Sequence, residues 1–234
     1  MATAGFVFSI AGLLSHGQSL AQLLFVDGNL AVSLSGAAVL VGFEMALIAV
    51  IAALREPLRG MSAAMLVLAA LFLLIPGTPG SGAVIGWQMQ SHVLVSLAAY
   101  GLLAVGAIIA VFALVQDRRL GSGTVTPANQ LFAPLQTTEA LLFGITAAGF
   151  VGLVLSILSG VVFVEDLFGQ HLVHKTGLSF LALILFGVLL VGRQYAGWRG
   201  HRAVYLYLWG FAVLCLAYFG SRYILEEVLG RSWS

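Results

Sequence analysis

Long apolar segments separated by short polar connections constrain the fold of this chain more than any other feature. A helix needs about 20 mostly apolar residues to cross the hydrocarbon core of a bilayer. Seven segments approach that length, at 2–25, 30–54, 61–76, 88–116, 137–160, 172–192 and 203–225. Only 8% of the residues are charged, whereas soluble domains carry about 25%. The sequence therefore predicts an all-α, polytopic transmembrane helix bundle with about seven spanning helices, in a single domain of residues 1–234.

Basic residues on the connections predict the orientation in the membrane. Lys and Arg are enriched in short cytoplasmic loops. Seven arginines cluster at three alternate connections, after the second, fourth and sixth segments. They are Arg55, Arg59, Arg118, Arg119, Arg193, Arg199 and Arg202. These connections are predicted to be cytoplasmic, which places the N-terminus inside, the C-terminus outside and the 161–171 loop outside.

Three histidines lie in or beside different apolar segments, at a similar predicted depth toward the external side. They are His16, His92 and His174. Ligand-grade side chains at such depth usually mark function, and imidazole is the commonest axial ligand of haem iron. A single intramembrane histidine can equally hydrogen-bond a serine or a backbone carbonyl, so the functional interpretation depends on the convergence of all three. His171 and His201, in loops, are expected to be solvated.

Polar and aromatic patterns predict the orientation of helix faces. The first segment has polar residues at i, i+3, i+4 and i+7, namely Ser15, Gln18, Ser19 and Gln22. The fourth segment has them at intervals of four, namely Gln88, His92, Ser96 and Tyr100. Both stripes are expected to avoid lipid and to face the bundle interior. Aromatic residues of the last segment and its preceding loop suit an interfacial belt: Trp198, Tyr205, Tyr207 and Trp209.

Glu44 lies near the middle of the second apolar segment. No Lys or Arg occurs at comparable depth in the first four segments, so we expect a neutral carboxylic acid that is hydrogen-bonded inside the bundle. Such a residue would tolerate Gln better than Leu. The alternative is a proton-relay or cation site of a small transporter.

No motif in the sequence indicates covalent or hydrolytic chemistry. The chain has no phosphate-binding loop, zinc motif or nucleophile elbow. Its one cysteine, Cys215, lies in an apolar run, so dithiol redox chemistry and covalent haem attachment are not expected. The sequence therefore predicts a protein that is not an enzyme, and its scattered basic residues do not indicate nucleic-acid binding.

The second half of the chain carries a series of short motifs in a fixed order. They are Leu135 to Phe143, Gly149-Phe150, Ser159-Gly160, His174-Lys175-Thr176, Gly192-Arg193, Gly197-Trp198-Arg199-Gly200, Tyr218 to Arg222 and Glu226. This order resembles the cytochrome c assembly protein superfamily, which is related to CcsA and CcmC. It is most similar to the YpjD/HemX-like inner-membrane branch. The resemblance covers residues 85–231, which are taken as the assembly-like core.

The resemblance implies a multi-pass protein of the bacterial inner membrane that binds a non-covalent b-type haem near the external face. Its role would be haem handling or cytochrome c maturation. His92 and His174 are the first choice as iron ligands because both lie near outer helix starts, and His16 is the substitute. Lys175 and Arg222 would meet the haem propionates. The implied partners, besides the lipid bilayer, are haem and other assembly subunits or apocytochrome c.

One segment departs from the superfamily pattern. Residues 168–176 stand where the superfamily has its tryptophan-rich WWD motif, and they contain no tryptophan. The haem-presenting platform is therefore expected to be missing or reduced. Two other functions stay open: a HemX-like regulator or scaffold of tetrapyrrole synthesis and, more weakly, the small-ion or proton transporter that uses Glu44.

Overall fold

The chain is mostly helical in the part that the structure describes. This structure is a computed structural model, and it describes residues 3–26, 28–31, 33–75, 86–121, 134–163 and 173–217. The helices are α1 (Thr3–Leu24), α2 (Leu34–Ala52), α3 (Arg59–Phe72), α4 (Trp87–Gly121), α5 (Leu135–Phe163), α6 (Val173–Ala196) and α7 (His201–Cys215). Each overlaps one predicted apolar segment. The all-α prediction is therefore confirmed.

Short elements join the first three helices. Strands β1 (Phe25–Val26) and β2 (Asn29–Leu30) pair antiparallel between α1 and α2, with Phe25 opposite Leu30. The hydroxyl oxygen of Ser33 then accepts a hydrogen bond from the backbone N–H of Gly36 at 3.0 Å. This bond satisfies one of the donors that every helix leaves unpaired in its first turn, so α2 begins directly after that serine.

Four helical segments are long and apolar enough to cross a membrane. Within the described residues they are Ser35–Ala52, Trp87–Arg119, Leu135–Phe163 and Thr176–Ala196. Helix α3 has only 14 residues, or about 21 Å at 1.5 Å per residue, which is shorter than a hydrocarbon core of about 30 Å. The protein is therefore an all-α membrane protein, while seven spans stay a prediction.

The helices divide between two compact units. The first unit comprises Met1–Gln90 and Val115–Leu142, and the second comprises Ser91–Leu114 and Phe143–Ser234. In the first unit α2 packs on both α1 and α3, and the fully buried core residues include Met45, Ala49 and Met65. In the second unit α6 packs on α7. Its fully buried residues include Leu103, Leu153, Phe186, Leu189 and Tyr207.

The polar stripe of α1 does not face the interior of the first unit. Ser15, Gln18 and Gln22 are exposed and Ser19 is half-buried. The buried face of α1 instead carries His16, Leu20 and Leu24 at intervals of four. The predicted inward orientation is therefore wrong. The two leucines gain more from packing than the amides would, and the one polar residue on their face has a backbone carbonyl as partner.

Tyr207 also departs from its prediction. It is fully buried, its hydroxyl donates to the carbonyl of Leu103 at 2.7 Å, and its ring meets that of Phe186 edge-on with centroids 5.2 Å apart. Placement of this residue in an interfacial belt is therefore wrong. Trp209 and Tyr205 are exposed, as a belt requires.

The orientation prediction can be tested with an impermeant thiol reagent in intact cells. In a Cys215→Ser background, Tyr195→Cys should stay unlabelled and Asp166→Cys should be labelled, because the arginines place the loop after α6 inside. Tyr195 is 86% exposed, so its cysteine variant should react once the cells are permeabilised. Asp166 lies outside the described residues. Labelling of position 195 in intact cells, with none at 166, would reverse the orientation.

Candidate functional site

His92 lies in the second turn of α4 and is hydrogen-bonded to a side chain of α5. Its Nδ1 lies 2.9 Å from the Ser159 hydroxyl oxygen. Ser159 donates its single proton to the carbonyl of Ser156 at 2.9 Å. The Ser159 oxygen must therefore accept from His92, so Nδ1 carries the ring proton. In a neutral imidazole the lone pair then resides on Nε2.

Ser96 extends this network by one turn. Its hydroxyl donates to the carbonyl of His92 at 2.7 Å and lies 2.6 Å from the hydroxyl of Ser156. Since Ser96 uses its proton on that carbonyl, Ser156 is the donor between the two hydroxyls. Two hydroxyl groups of α5 thus hold two polar residues of α4. The predicted stripe of α4 does contact a neighbouring helix at His92 and Ser96.

Small residues on α5 allow this close approach. A Cβ atom at Gly160 would lie 3.1 Å from Cε1 of His92, and one at Gly152 would lie 2.9 Å from the Cβ of Ala99. The backbone of α5 therefore runs directly beside the imidazole. The ring is half-buried and is held on one edge by a hydrogen bond and on one side by a helix backbone.

His16 belongs to the first unit and has a different environment. It is 3% exposed, and its Nε2 donates to the carbonyl of Val39 on α2 at 3.1 Å. Its ring packs edge-on against Phe43, with centroids 6.1 Å apart. Gly42 makes room for the ring, because a Cβ there would lie 3.0 Å from Cε1 of His16. This is the structural contact that the sequence left open as an alternative.

The other candidate residues are described only in part. His174 and Lys175 lie in the first turn of α6, in the second unit with His92, but their side chains are outside the description. His171 and Arg222 lie outside the described residues altogether. His201, predicted to be solvated, is exposed and stacks on Tyr205 with centroids 6.1 Å apart.

Within the described ranges no three His, Cys, Asp or Glu side chains come together as they would around a bare metal ion. Haem iron makes a smaller demand, since the porphyrin supplies four of its ligands and the protein one or two. One imidazole in a fixed orientation, such as that of His92, is therefore enough to supply a protein ligand in a haem site.

Glu44 is 8% exposed, and its Oε2 has no hydrogen-bond partner among the residues that the structure describes. The hydrogen bond expected from the sequence is therefore not found at this atom. The two residues that follow it in α2, Met45 and Ala46, are buried and have apolar side chains. This reverses the stability order expected for two substitutions of Glu44, by Gln and by Leu.

We expect Glu44→Leu to be at least as stable as the wild type and more stable than Glu44→Gln. A buried polar group without a partner costs about 1–3 kcal/mol. Leu removes that group, whereas Gln keeps it. Melting temperatures of the purified variants provide the measurement. A Leu variant that melts lower than the Gln variant would show that the Glu44 carboxyl has a partner.

The connection between α6 and α7 explains the Gly-Arg and Gly-Trp-Arg-Gly motifs. The Trp198 ring occupies the space that a side chain at Gly192 would fill. The backbone N–H of Trp198 donates to the carbonyl of Gly192 at 3.1 Å. Arg193 lies 4.7 Å above the centroid of the Phe143 ring and donates to the carbonyl of Trp198 at 3.3 Å. Gly197 and Gly200 have φ of 63° and 60°, which side chains disfavour. The two motifs therefore form one folded connection between α6 and α7.

Comparison with known proteins shows to which family the chain belongs. The family described as "Cytochrome C assembly protein" matches residues 4–229. The chain belongs to the cytochrome c assembly protein family. This match takes in His16, His92 and His174, and it extends beyond the 85–231 core to the first half of the chain.

Several curated proteins are similar to this chain over part of their length. Inner membrane protein YpjD of Escherichia coli strain K12 is 34% identical over 140 residues, which cover 60% of this chain and 53% of that protein. Cytochrome c biogenesis protein CcsA of Chlamydomonas reinhardtii is 27% identical over 142 residues, covering 60% and 39%. CcsA of Synechococcus sp. strain CC9902 is 26% identical over 152 residues, covering 55% and 50%. The chain thus spans about half the length of the curated relatives it matches. No solved structure matches it.

The sequence did not reveal the residues that orient His92. Ser156, Ser159 and Gly160 carry no chemistry that stands out in an apolar segment. One signal was present, because small residues recur at 149, 152, 156 and 159. Spacings of three and four bring such residues to one side of a helix and mark a surface for close packing in membranes.

Proposed function

We propose that this cytochrome c assembly family member holds a non-covalent b-type haem near the external face of the inner membrane by histidine ligation. It serves haem handling in cytochrome c maturation. Membership of the family and similarity to proteins named for cytochrome c biogenesis support the process. The observation that carries the ligand assignment is the oriented imidazole of His92.

The arrangement at His92 fits an iron ligand. A metal-bound histidine almost always donates its second ring N–H to a fixed acceptor, which sets the tautomer and raises the basicity of the ligating nitrogen. Ser159 provides that acceptor at Nδ1, and the lone pair is thereby on Nε2. The ring is half-buried. Haem, when bound, would supply an iron for which imidazole nitrogen is a suitable ligand.

The second ligand in this proposal is His174. It begins α6 in the same compact unit as His92, whereas His16 already uses Nε2 on Val39. Lys175 next to His174, and Arg222, are proposed to meet the two propionates. His16 serves only as a substitute, since it would have to break its buried hydrogen bond. The protein in this account binds and presents haem without enzymatic chemistry, and its partners are other assembly subunits or apocytochrome c.

Haem content after purification in mild detergent tests this assignment. The wild type should contain haem, and a His92→Ala/His174→Ala double variant should contain little. The His201→Ala variant is the matched control, because His201 is exposed and begins α7 at a connection predicted on the opposite side. Equal haem occupancy in the wild type and the double variant would overturn the ligand assignment.

A further inference from the structure

Helix α1 exposes a regular seam that no other described helix of the first unit covers. Its members are spaced three and four residues apart, and all are exposed: Phe8, Ala11, Ser15, Gln18 and Gln22. The buried face of the same helix, with His16, Leu20 and Leu24, lies on the opposite side. The seam extends over about 21 Å at 1.5 Å per residue, which is most of the length of α1.

Helix α1 is predicted from its sequence to span the membrane, and in that position the two glutamines make this seam costly to leave in contact with lipid. Neither Gln18 nor Gln22 makes a side-chain hydrogen bond within the part of the chain that the structure describes, whereas Ser19 beside them donates to the carbonyl of Ser15 at 3.1 Å. An amide without partners is expensive in hydrocarbon. Polar side chains on a membrane helix are instead common where they bond across to another helix.

The spacing itself indicates a helix partner. Residues that alternate at three and four keep facing a neighbouring helix, because they follow a 3.5-residue period. This chain already uses the spacing inside its second unit. Gly149, Gly152, Ser156 and Ser159 of α5 repeat at three, four and three, and they contact Leu103, Ala99, Ser96 and His92 of α4. Ala11 and Ser15 give the seam of α1 the same small side chains.

We propose that the α1 seam binds the α1 seam of a second copy of this chain. All copies are inserted with one orientation, so their first helices run parallel and place Gln18 opposite Gln18 and Gln22 opposite Gln22. An amide both donates and accepts hydrogen bonds, so each glutamine is complementary to its own copy across a two-fold axis. The seam contains no charge that would oppose this pairing.

Disulfide cross-linking of the full chain in lipid vesicles tests the seam by position. In a Cys215→Ser background, Ala11→Cys, Ser15→Cys and Gln18→Cys should give covalent dimers under mild oxidation. Ile10→Cys should not, and it is a matched control because Ile10 is exposed and lies at the same depth as Ala11 but away from the seam. Equal cross-linking at positions 10 and 11, or none at any position, would overturn the proposal.

Removal of the amides gives a second readout. Energy transfer between labelled copies diluted into lipid should report dimerisation that is about three-fold weaker for each of Gln18→Leu and Gln22→Leu, as is typical of one interhelical hydrogen bond lost in a membrane. Ile10→Leu should leave it unchanged. Dimerisation that is unaltered or strengthened in the Gln18→Leu/Gln22→Leu variant would contradict pairing through the amides. A seam cysteine shielded from thiol reagents without forming dimers would show that another segment or protein covers the face.

Discussion

Replacement of His92 by alanine is expected to remove most of the haem from the purified protein, more than any other single substitution. The variant loses the imidazole whose Nδ1 proton is held by Ser159 at 2.9 Å and whose Nε2 is proposed to bind iron. His174→Ala should have the next largest effect. Haem content per chain, measured after identical purification, orders these variants.

The Ser159→Ala variant tests whether haem binding depends on the hydrogen bond that orients the His92 ring. It leaves His92 in place but removes the acceptor at Nδ1, so the tautomer and ring orientation are no longer fixed. Loss of such a supporting group typically lowers metal affinity by about 10–100-fold. We expect weaker haem binding than in the wild type but stronger than in His92→Ala. Ser159→Ala with wild-type affinity, together with an unaffected His92→Ala, would remove His92 from the site.

Gly106→Ala is expected to give the largest loss of stability in the second unit. A methyl group there would overlap the hydroxyl of Tyr207, a fully buried residue that is held by the carbonyl of Leu103. Overpacking of a core typically costs about 1–3 kcal/mol, and displacement of the hydroxyl adds about 0.5–1.5 kcal/mol for the lost hydrogen bond. The melting temperature of the purified variant should fall accordingly.

Gly144→Ala is the matched control for this substitution. It also lies within a helix of the second unit, but a Cβ there meets nothing within 4 Å. Since Ala is favoured over Gly in a helix interior by about 1 kcal/mol, this variant should melt at or above the wild-type temperature. Adding Tyr207→Phe to Gly106→Ala should recover part of the loss, because it removes the overlapping oxygen. Equal melting temperatures for Gly106→Ala and Gly144→Ala would contradict the packing described here.

The helices and the family could be predicted from the sequence because both depend on local features. Apolar length sets where a helix can span a bilayer, so all seven helices lie where the apolar segments are. The Gly-Trp-Arg-Gly motif helped to indicate the family. In the structure its residues form one folded connection beside Gly192 and Arg193. Within the candidate site, His92 was identified because an imidazole is rare in an apolar segment.

The faces of the helices could not be predicted in the same way. In a membrane protein both the core and the lipid-facing surface are apolar, so periodicity does not separate them as it does in water. The stripe at Ser15, Gln18 and Gln22 was predicted to face inward because polar side chains avoid lipid, whereas tertiary packing buries His16 instead. Tyr207 was predicted to be interfacial because its buried position depends on the space left by Gly106 on another helix, and the sequence does not show that these two residues meet. The partnerless Oε2 of Glu44 likewise depends on neighbours that the sequence does not identify.

The absorption spectrum of the purified wild-type protein tests the central claim most directly. A histidine-ligated b-type haem predicts a Soret band, and a pyridine haemochrome assay on the same sample should identify haem b at a fixed ratio to the chain. A colourless preparation that is folded, contains no haem by the same assay and takes up none when haem is added would contradict the account.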